Sequence, residues 1–135
     1  MPLAPRWLSR LKHRAGGLGA RGERHAKRHL KRQKHRVLAS NLRTRFGEVD
    51  LLTTAPDGRT VVIVEVKAGR AGPIPPERHF TADKRRRLTA LAGQLLRRYQ
   101  LADRPVRFDL VAVEFDRNQA RPTVRHYPAA CEASV

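Results

Sequence analysis

The chain has 135 residues, enough for one domain with a single modest core, and its 40% hydrophobic content excludes a wholly disordered polymer. Lys and Arg total 29 against 12 Asp and Glu, a formal charge of +17 that points to nucleic acid as partner, ahead of an anionic membrane. The single Cys131 excludes an internal disulfide framework and argues against a structural zinc site; with no run of about 20 apolar residues and no apolar stretch after the basic N-terminus, the expectation is a cytoplasmic protein with no membrane association.

Residues 1–19 read as a flexible basic arm ending in Gly16-Gly17-Leu18-Gly19. Residues 20–36 are expected to be helical, with Ala26, Leu30 and Gln33 along one face and Val37 extending it. The rest of that helix is basic, and Arg24, Lys27, Arg28 and Lys31 are its candidate phosphate contacts. Glu23 is the lone acid of the first 45 residues, and by position alone it reads as a charge complementing the helix dipole. His13, His25, His29 and His35 read as part of a solvated basic face rather than a zinc site. Residues 37–46 form the first expected strand, with Val37, Leu38 and Leu42 as its apolar content.

Two strand-like runs follow, 49–54 and 60–66, separated by Ala-Pro-Asp-Gly-Arg. Asp-Gly between such runs predicts a β-hairpin, because Gly accepts the positive φ of a tight turn. With Asp57-Gly58 at the tip, Pro56 faces Arg59, Asp50 faces Glu65 and Glu48 faces Lys67. The two-residue period then puts Glu48, Asp50, Glu65 and Lys67 on one face. Opposed carboxylates repel, and a divalent cation with oxygen ligands resolves the conflict. Pro56 lacks the N–H of a closed two-residue turn; a wider loop in the same register keeps the cluster, whereas a one-residue bulge breaks it. The β-branched run Val61-Val62-Ile63-Val64 suits a central strand covered on both faces, so Glu65 and Lys67 are expected near a core edge.

Residues 68–80, dense in Gly and Pro, read as a loop that leaves the hairpin just after Lys67 and lines a cleft. Thr81 is the expected N-cap of a second helix, whose apolar stripe is Leu88, Leu91, Ala92, Leu95, Leu96 and Tyr99. Lys84, Arg85, Arg86 and Arg87 crowd its first turns against the helix dipole, which a phosphate partner would explain, with a simple solvated face as the equal alternative. Pro105 ends the helical segment. Residues 106–115 then alternate as a strand, with Phe108, Leu110 and Ala112 on one face and Asp109, Val111 and Val113 on the other. A short strand at 123–127 and a tail at 128–135 complete the chain. The order α-β-β-β-α-β-β implies one α/β domain over residues 20–127, with a mixed sheet and flanking helices.

Over about residues 18–127 the chain resembles the YraN-like family of uncharacterised bacterial proteins, assigned to the restriction-endonuclease-like superfamily. The marks are Leu18-Gly19, Gly22-Glu23 with Ala26 and Leu30, Asn41, Gly47-Glu48-Val49-Asp50-Leu51, Val64-Glu65-Val66-Lys67, Thr81 with Lys84, and Arg107-Phe108-Asp109. The resemblance implies a restriction-endonuclease-like core, in which Asp50 is the first acid and Glu65-Val66-Lys67 the acid-x-Lys motif. In the similar Holliday-junction resolvases an acid on the first helix joins the site, and Glu23 falls there. The implied activity is metal-dependent DNA endonuclease. Asp50 and Glu65 would hold Mg²⁺ or Mn²⁺ with the Val66 carbonyl, Glu48 and Glu23 would tune that set, and Lys67 would orient water or stabilise phosphate charge. Branched or junction DNA, and a homodimer with one site per strand, extend from the resolvase likeness. Ala68-Gly69-Arg70 departs from the polar-Arg continuation usual after the lysine. The alternative is a non-catalytic nucleic-acid-binding protein, for DNA or RNA, that keeps the fold, and a blander variant of it is a basic factor associated with RNA or ribosomes. The presence of the required acids in a chain poor in acids favours chemistry.

Overall fold

The computed structural model describes residues 17–45 and 47–130. The N-terminal arm through residue 16 and the tail beyond 130 lie outside the described residues. The elements are α1 (Leu18–Arg32), β1 (Arg36–Thr44), β2 (Gly47–Thr54), β3 (Val61–Arg70), a 3-10 turn (Pro76–His79), α2 (Ala82–Arg98), β4 (Val106–Phe115) and β5 (Thr123–Tyr127). They build one mixed sheet in the order β1-β2-β3-β4-β5, in which β3 and β4 are parallel and the other pairs antiparallel. A parallel pair needs a long crossover, and α2 supplies it. The fold is α/β, with the element order the sequence implies.

The helices cover opposite faces of the sheet. Ala26 and Leu30 of α1 bury against Leu51, Val62, Val64, Val111 and Val113. Leu88, Leu91, Ala92 and Leu95 of α2 bury against Leu42, Val49, Leu52, Val61 and Ile63. Both faces of β3 are therefore covered, as its β-branched run requires. The buried stripe of α1 is Gly22, Ala26 and Leu30, and Gln33 is exposed rather than part of it. The helix also starts earlier and ends sooner than 20–36. It stops at Arg32 because Lys34 turns left-handed, φ 69°, and the Gln33 N–H closes onto the His29 and Leu30 carbonyls.

The β2–β3 hairpin has the expected register, from Leu51 opposite Val64 to Thr54 opposite Val61. Its loop is the wider one: the Ala55 N–H donates to the Thr60 carbonyl at 2.9 Å, which leaves Pro56 outside the ladder. The Asp57 carboxylate accepts the Arg59 and Thr60 N–H groups at 2.8 Å and the Thr60 hydroxyl at 2.6 Å, and Gly58 takes the positive φ of 74°. Among the described residues, no helix is long and apolar enough to cross a membrane.

Candidate active site

The β2–β3 ladder ends at Leu51 and Val64, and there the two strands part. Towards Gly47, β2 continues only against β1, while β3 continues to Arg70 against β4. Asp50 and Glu65 stand at this fork. A strand leaving its neighbour exposes backbone N–H groups that need an acceptor. Asp50 supplies one: its Oδ2 accepts the Val66 N–H at 2.7 Å. A carboxylate from β2 is thereby anchored to the residue between Glu65 and Lys67. Opposite Asp50 on β1, Asn41 takes a left-handed φ of 53°, a conformation Asn tolerates better than most residues.

Glu65 is buried, 2% exposed, at the inner end of the fork. Its Oε1 lies 3.3 Å from Lys67 Nζ, and the lysine side chain stays 23% exposed. Beyond Lys67 the strand is roofed by the 3-10 turn. A Cβ on Gly69 would lie 3.2 Å from Pro76 Cγ, so only glycine fits that approach without displacement. The turn is clipped to β5: Arg125 donates to both Glu77 oxygens at 2.5 and 2.9 Å and to Glu114 at 3.2 Å, and the Tyr127 hydroxyl donates to Glu77 at 2.6 Å. Arg125 foremost, with Tyr127, holds the Glu77 carboxyl at about 2. The Gly- and Pro-rich segment thus forms a fixed wall next to the lysine.

The other acids sit differently. Glu48 does not pair with Lys67, because the strands have already parted. It accepts from Arg43 Nη2 at 2.8 Å across the β1–β2 ladder. Glu23 is half-buried on the turn of α1 whose Gly22 meets β3 so closely that a Cβ would lie 2.4 Å from Ala68 Cβ, one residue past Lys67. Glu23 lies beyond the first turn of α1, where no acid stands, so a dipole role fits it poorly. Arg24, Arg28 and Lys31 are exposed along α1, and Lys27 is half-buried. In α2, Arg86 is exposed and ion-paired with Asp83. Lys84 and Arg85 lie in α2, and their side chains fall outside the described residues.

A second polar cluster escaped the sequence reading. His35, Asp109 and His126 bring potential ligand atoms within 4.8 Å of one another. Asp109 is fully buried. Its Oδ1 accepts from Arg107 Nε at 2.8 Å and the Ala129 N–H at 3.0 Å, while Oδ2 accepts from Arg107 Nη2 at 2.9 Å and lies 2.7 Å from His126 Nε2. Burial pushes this carboxyl up, but the bonds from His126, Arg107 and Ala129 outweigh burial and hold it at about 2. His35 is buried, not part of a solvated face, and its Nδ1 lies 3.0 Å from the Thr53 hydroxyl. Burial first, then neighbouring His126, pushes His35 below the usual imidazole range. Arg107 already balances the one carboxylate and occupies both its oxygens. A dication here would add to the positive charge of Arg107 already beside the buried carboxylate, so the cluster is a polar tie joining β5 and the α1–β1 turn to β4.

The model of the uncharacterised protein family UPF0102 matches residues 22–113. A UPF0102 protein of Geotalea uraniireducens is 39% identical over 116 residues, covering 85% of this chain and 89% of that protein. One from Geobacter metallireducens is 35% identical, covering 85% and 92%, and one from Symbiobacterium thermophilum is 43% identical over 99 residues, covering 72% and 81%. The matched span runs from the glycine that seats α1 on β3, through the whole fork, to Val113 near the end of β4, and the chain belongs to the uncharacterised protein family UPF0102.

Proposed function

We propose that the protein is a metal-dependent endonuclease of DNA with its active site at the β2–β3 fork. The observation that carries this reading is the convergence of Asp50, Glu65 and Lys67, with the Asp50 carboxylate fastened to the Val66 N–H between the other two. The donor chemistry fits a hard divalent cation. Two carboxylates and the Val66 carbonyl are all oxygen ligands, the kind Mg²⁺ and Mn²⁺ take. Bound there, such an ion supplies Lewis acidity towards a phosphate and acidifies a water.

The chain's own residues account for the rest. The Val66 N–H fixes the direction of the Asp50 carboxylate. Lys67 balances the buried charge of Glu65 and presents an ammonium at the mouth of the fork, where it stabilises phosphate charge or orients the attacking water. The roofed loop limits the approach to one side. The resolvase likeness would add Glu23 from α1 to this set, and Glu48, whose Oε1 is engaged by Arg43, would tune it. Branched or junction DNA is the substrate the resolvase-like arrangement favours, with two copies of the chain serving two strands.

A second reading, nucleic-acid binding without cleavage, is favoured by one observation: Glu48 is engaged by Arg43, which leaves fewer acids at the fork than the sequence pattern offers. Labelled linear, flap and four-way-junction DNA, each incubated with Mg²⁺, Mn²⁺ or EDTA, separates the two. Metal-dependent cuts by wild type, absent from Asp50→Ala and Lys67→Ala preparations purified in parallel, support the nuclease. Binding that is indifferent to EDTA and leaves every substrate whole supports the binder, and stronger competition by RNA at matched salt moves the partner from DNA to RNA.

A further inference from the structure

Away from the fork, a cavity of about 710 Å³ opens between the first turns of α1, the end of β3 and the β4–β5 turn. Its lining includes Arg21, His25, Arg70, Phe115 and Arg117. A second cavity of about 150 Å³ continues along α1, lined by Arg28, His29, Arg32 and Arg121, and the two share His25 and Pro122. Together they form a groove bordered by Arg21, Arg28, Arg32, Arg70, Arg117 and Arg121, against one lining acid, Asp116. Asp116 is turned to local use, accepting the Asn118 N–H at 3.0 Å within the β4–β5 turn.

We propose that this groove binds the sugar-phosphate backbone of one DNA strand, which rests on the nucleic-acid part of the function proposed above. Length decides against a small anion. Arg21 to Arg32 spans eleven residues of α1, about 16 Å at 1.5 Å per residue. At about 3.4 Å of axis per phosphate on one strand, that matches about five phosphates. A single phosphate group would leave most of the arginines unmatched. Charge decides against the chain's own N-terminal arm, which holds Arg6, Arg10, Lys12 and Arg14 and no acid. Phe115 is not a base platform, because its ring is already engaged. The Arg21 guanidinium lies 4.8 Å from its centroid and the His25 ring meets it at 5.7 Å, so Phe115 positions these groups. The groove reads phosphate and not base.

The test is fluorescence anisotropy with labelled single-stranded DNA in EDTA over a KCl series. The variant Arg117→Glu/Arg121→Glu alters two exposed residues of the β4–β5 turn. The control, Arg59→Glu/Arg104→Glu, makes the same change of charge at exposed sites near the start of β3, about 30 Å away along the ten-residue strand. Arg117→Gln/Arg121→Gln guards against misfolding, with thermal unfolding recorded for all. The groove variant is expected to bind about tenfold more weakly and to lower the salt slope by about 1.4, two contacts at about 0.7 each, with the glutamine pair intermediate and the control near wild type. A groove variant that binds no worse than the control overturns the groove and leaves the nucleic-acid reading standing. Wild-type protein that fails to bind at low salt overturns both.

Discussion

Replacing Asp109 with Asn should be among the most damaging isosteric changes in the protein. The carboxylate is fully buried and receives four contacts, from Arg107 twice, His126 and the Ala129 N–H. An amide can accept at only one of the two positions. Its NH₂ must then face the donors of Arg107 on one side or the other, and the guanidinium loses its counter-charge. Removing one partner of a buried pair costs about 3–5 kcal/mol, a large share of the roughly 5–15 kcal/mol that holds a domain together. The pH dependence gives a second reading of the same contact. The folded carboxyl sits at about 2, below its ordinary 3.8, so its contribution is complete above 3.8 and is lost as pH falls from there to about 2. At about 1.4 kcal/mol per pH unit, that interval is worth about 2 kcal/mol. Urea unfolding of wild type and Asp109→Asn at pH 7 and across the acid range measures both. The gap between the two proteins should be about 3–5 kcal/mol at neutral pH and shrink below pH 3.8. A gap under about 1 kcal/mol at pH 7, or one that stays constant into acid, would refute the argument.

Two further changes test how the fork is held. Gly22→Ala puts a methyl 2.4 Å from Ala68 Cβ and should cost about 1–3 kcal/mol; adding Ala68→Gly should recover most of it, and simple additivity in the double variant would show that the helix does not seat on β3 as described. Arg125→Ala releases Glu77, whose carboxyl then rises from about 2 towards its ordinary 4.5, so the stabilisation that wild type holds above 4.5 and loses on acidification to about 2 disappears. The neutral-pH loss should be only about 1 kcal/mol, because the pair is partly exposed. Limited proteolysis should cut the variant faster than wild type within residues 71–81, and unchanged cleavage there would exclude the clip.

Local rules carried much of the fold. The β-branched run of β3, the Asp-Gly turn and the period-two pattern of β4 are short-range signals, and they set the hairpin register and the limits of β4 and β5 as observed. The fork was not legible, because it depends on β1 and β4 holding β2 and β3 beyond the point where the hairpin ladder ends. Period two extended past Leu51 and Val64 pairs Glu48 with Lys67; the strands part first, and Arg43 takes Glu48. The Asp109 cluster joins residues from the α1–β1 turn, β4 and β5, and no spacing rule links positions so far apart. The available signal was Asp109 on the same strand face as Val111 and Val113, which bury beneath α1. A buried acid on such a face needs partners, and His126, on the neighbouring strand opposite Val111, was within reach. The end of α1 was misjudged because a left-handed Lys34 leaves no mark in a run of Arg, Lys and His.

The central claim is that Asp50 and Glu65 together hold a divalent cation at the fork. Asp50→Asn is the sharpest probe, since its amide oxygen can still accept the Val66 N–H while the charge is removed. Mn²⁺ titrations followed by electron paramagnetic resonance, on wild type, Asp50→Asn and Glu65→Gln with DNA present, measure binding without requiring turnover. The account predicts a bound Mn²⁺ in wild type that is weakened at least tenfold in each variant, about 1.4 kcal/mol or more, with unfolding midpoints of Asp50→Asn close to wild type. Equal Mn²⁺ binding by all three proteins, or none by wild type, would contradict it.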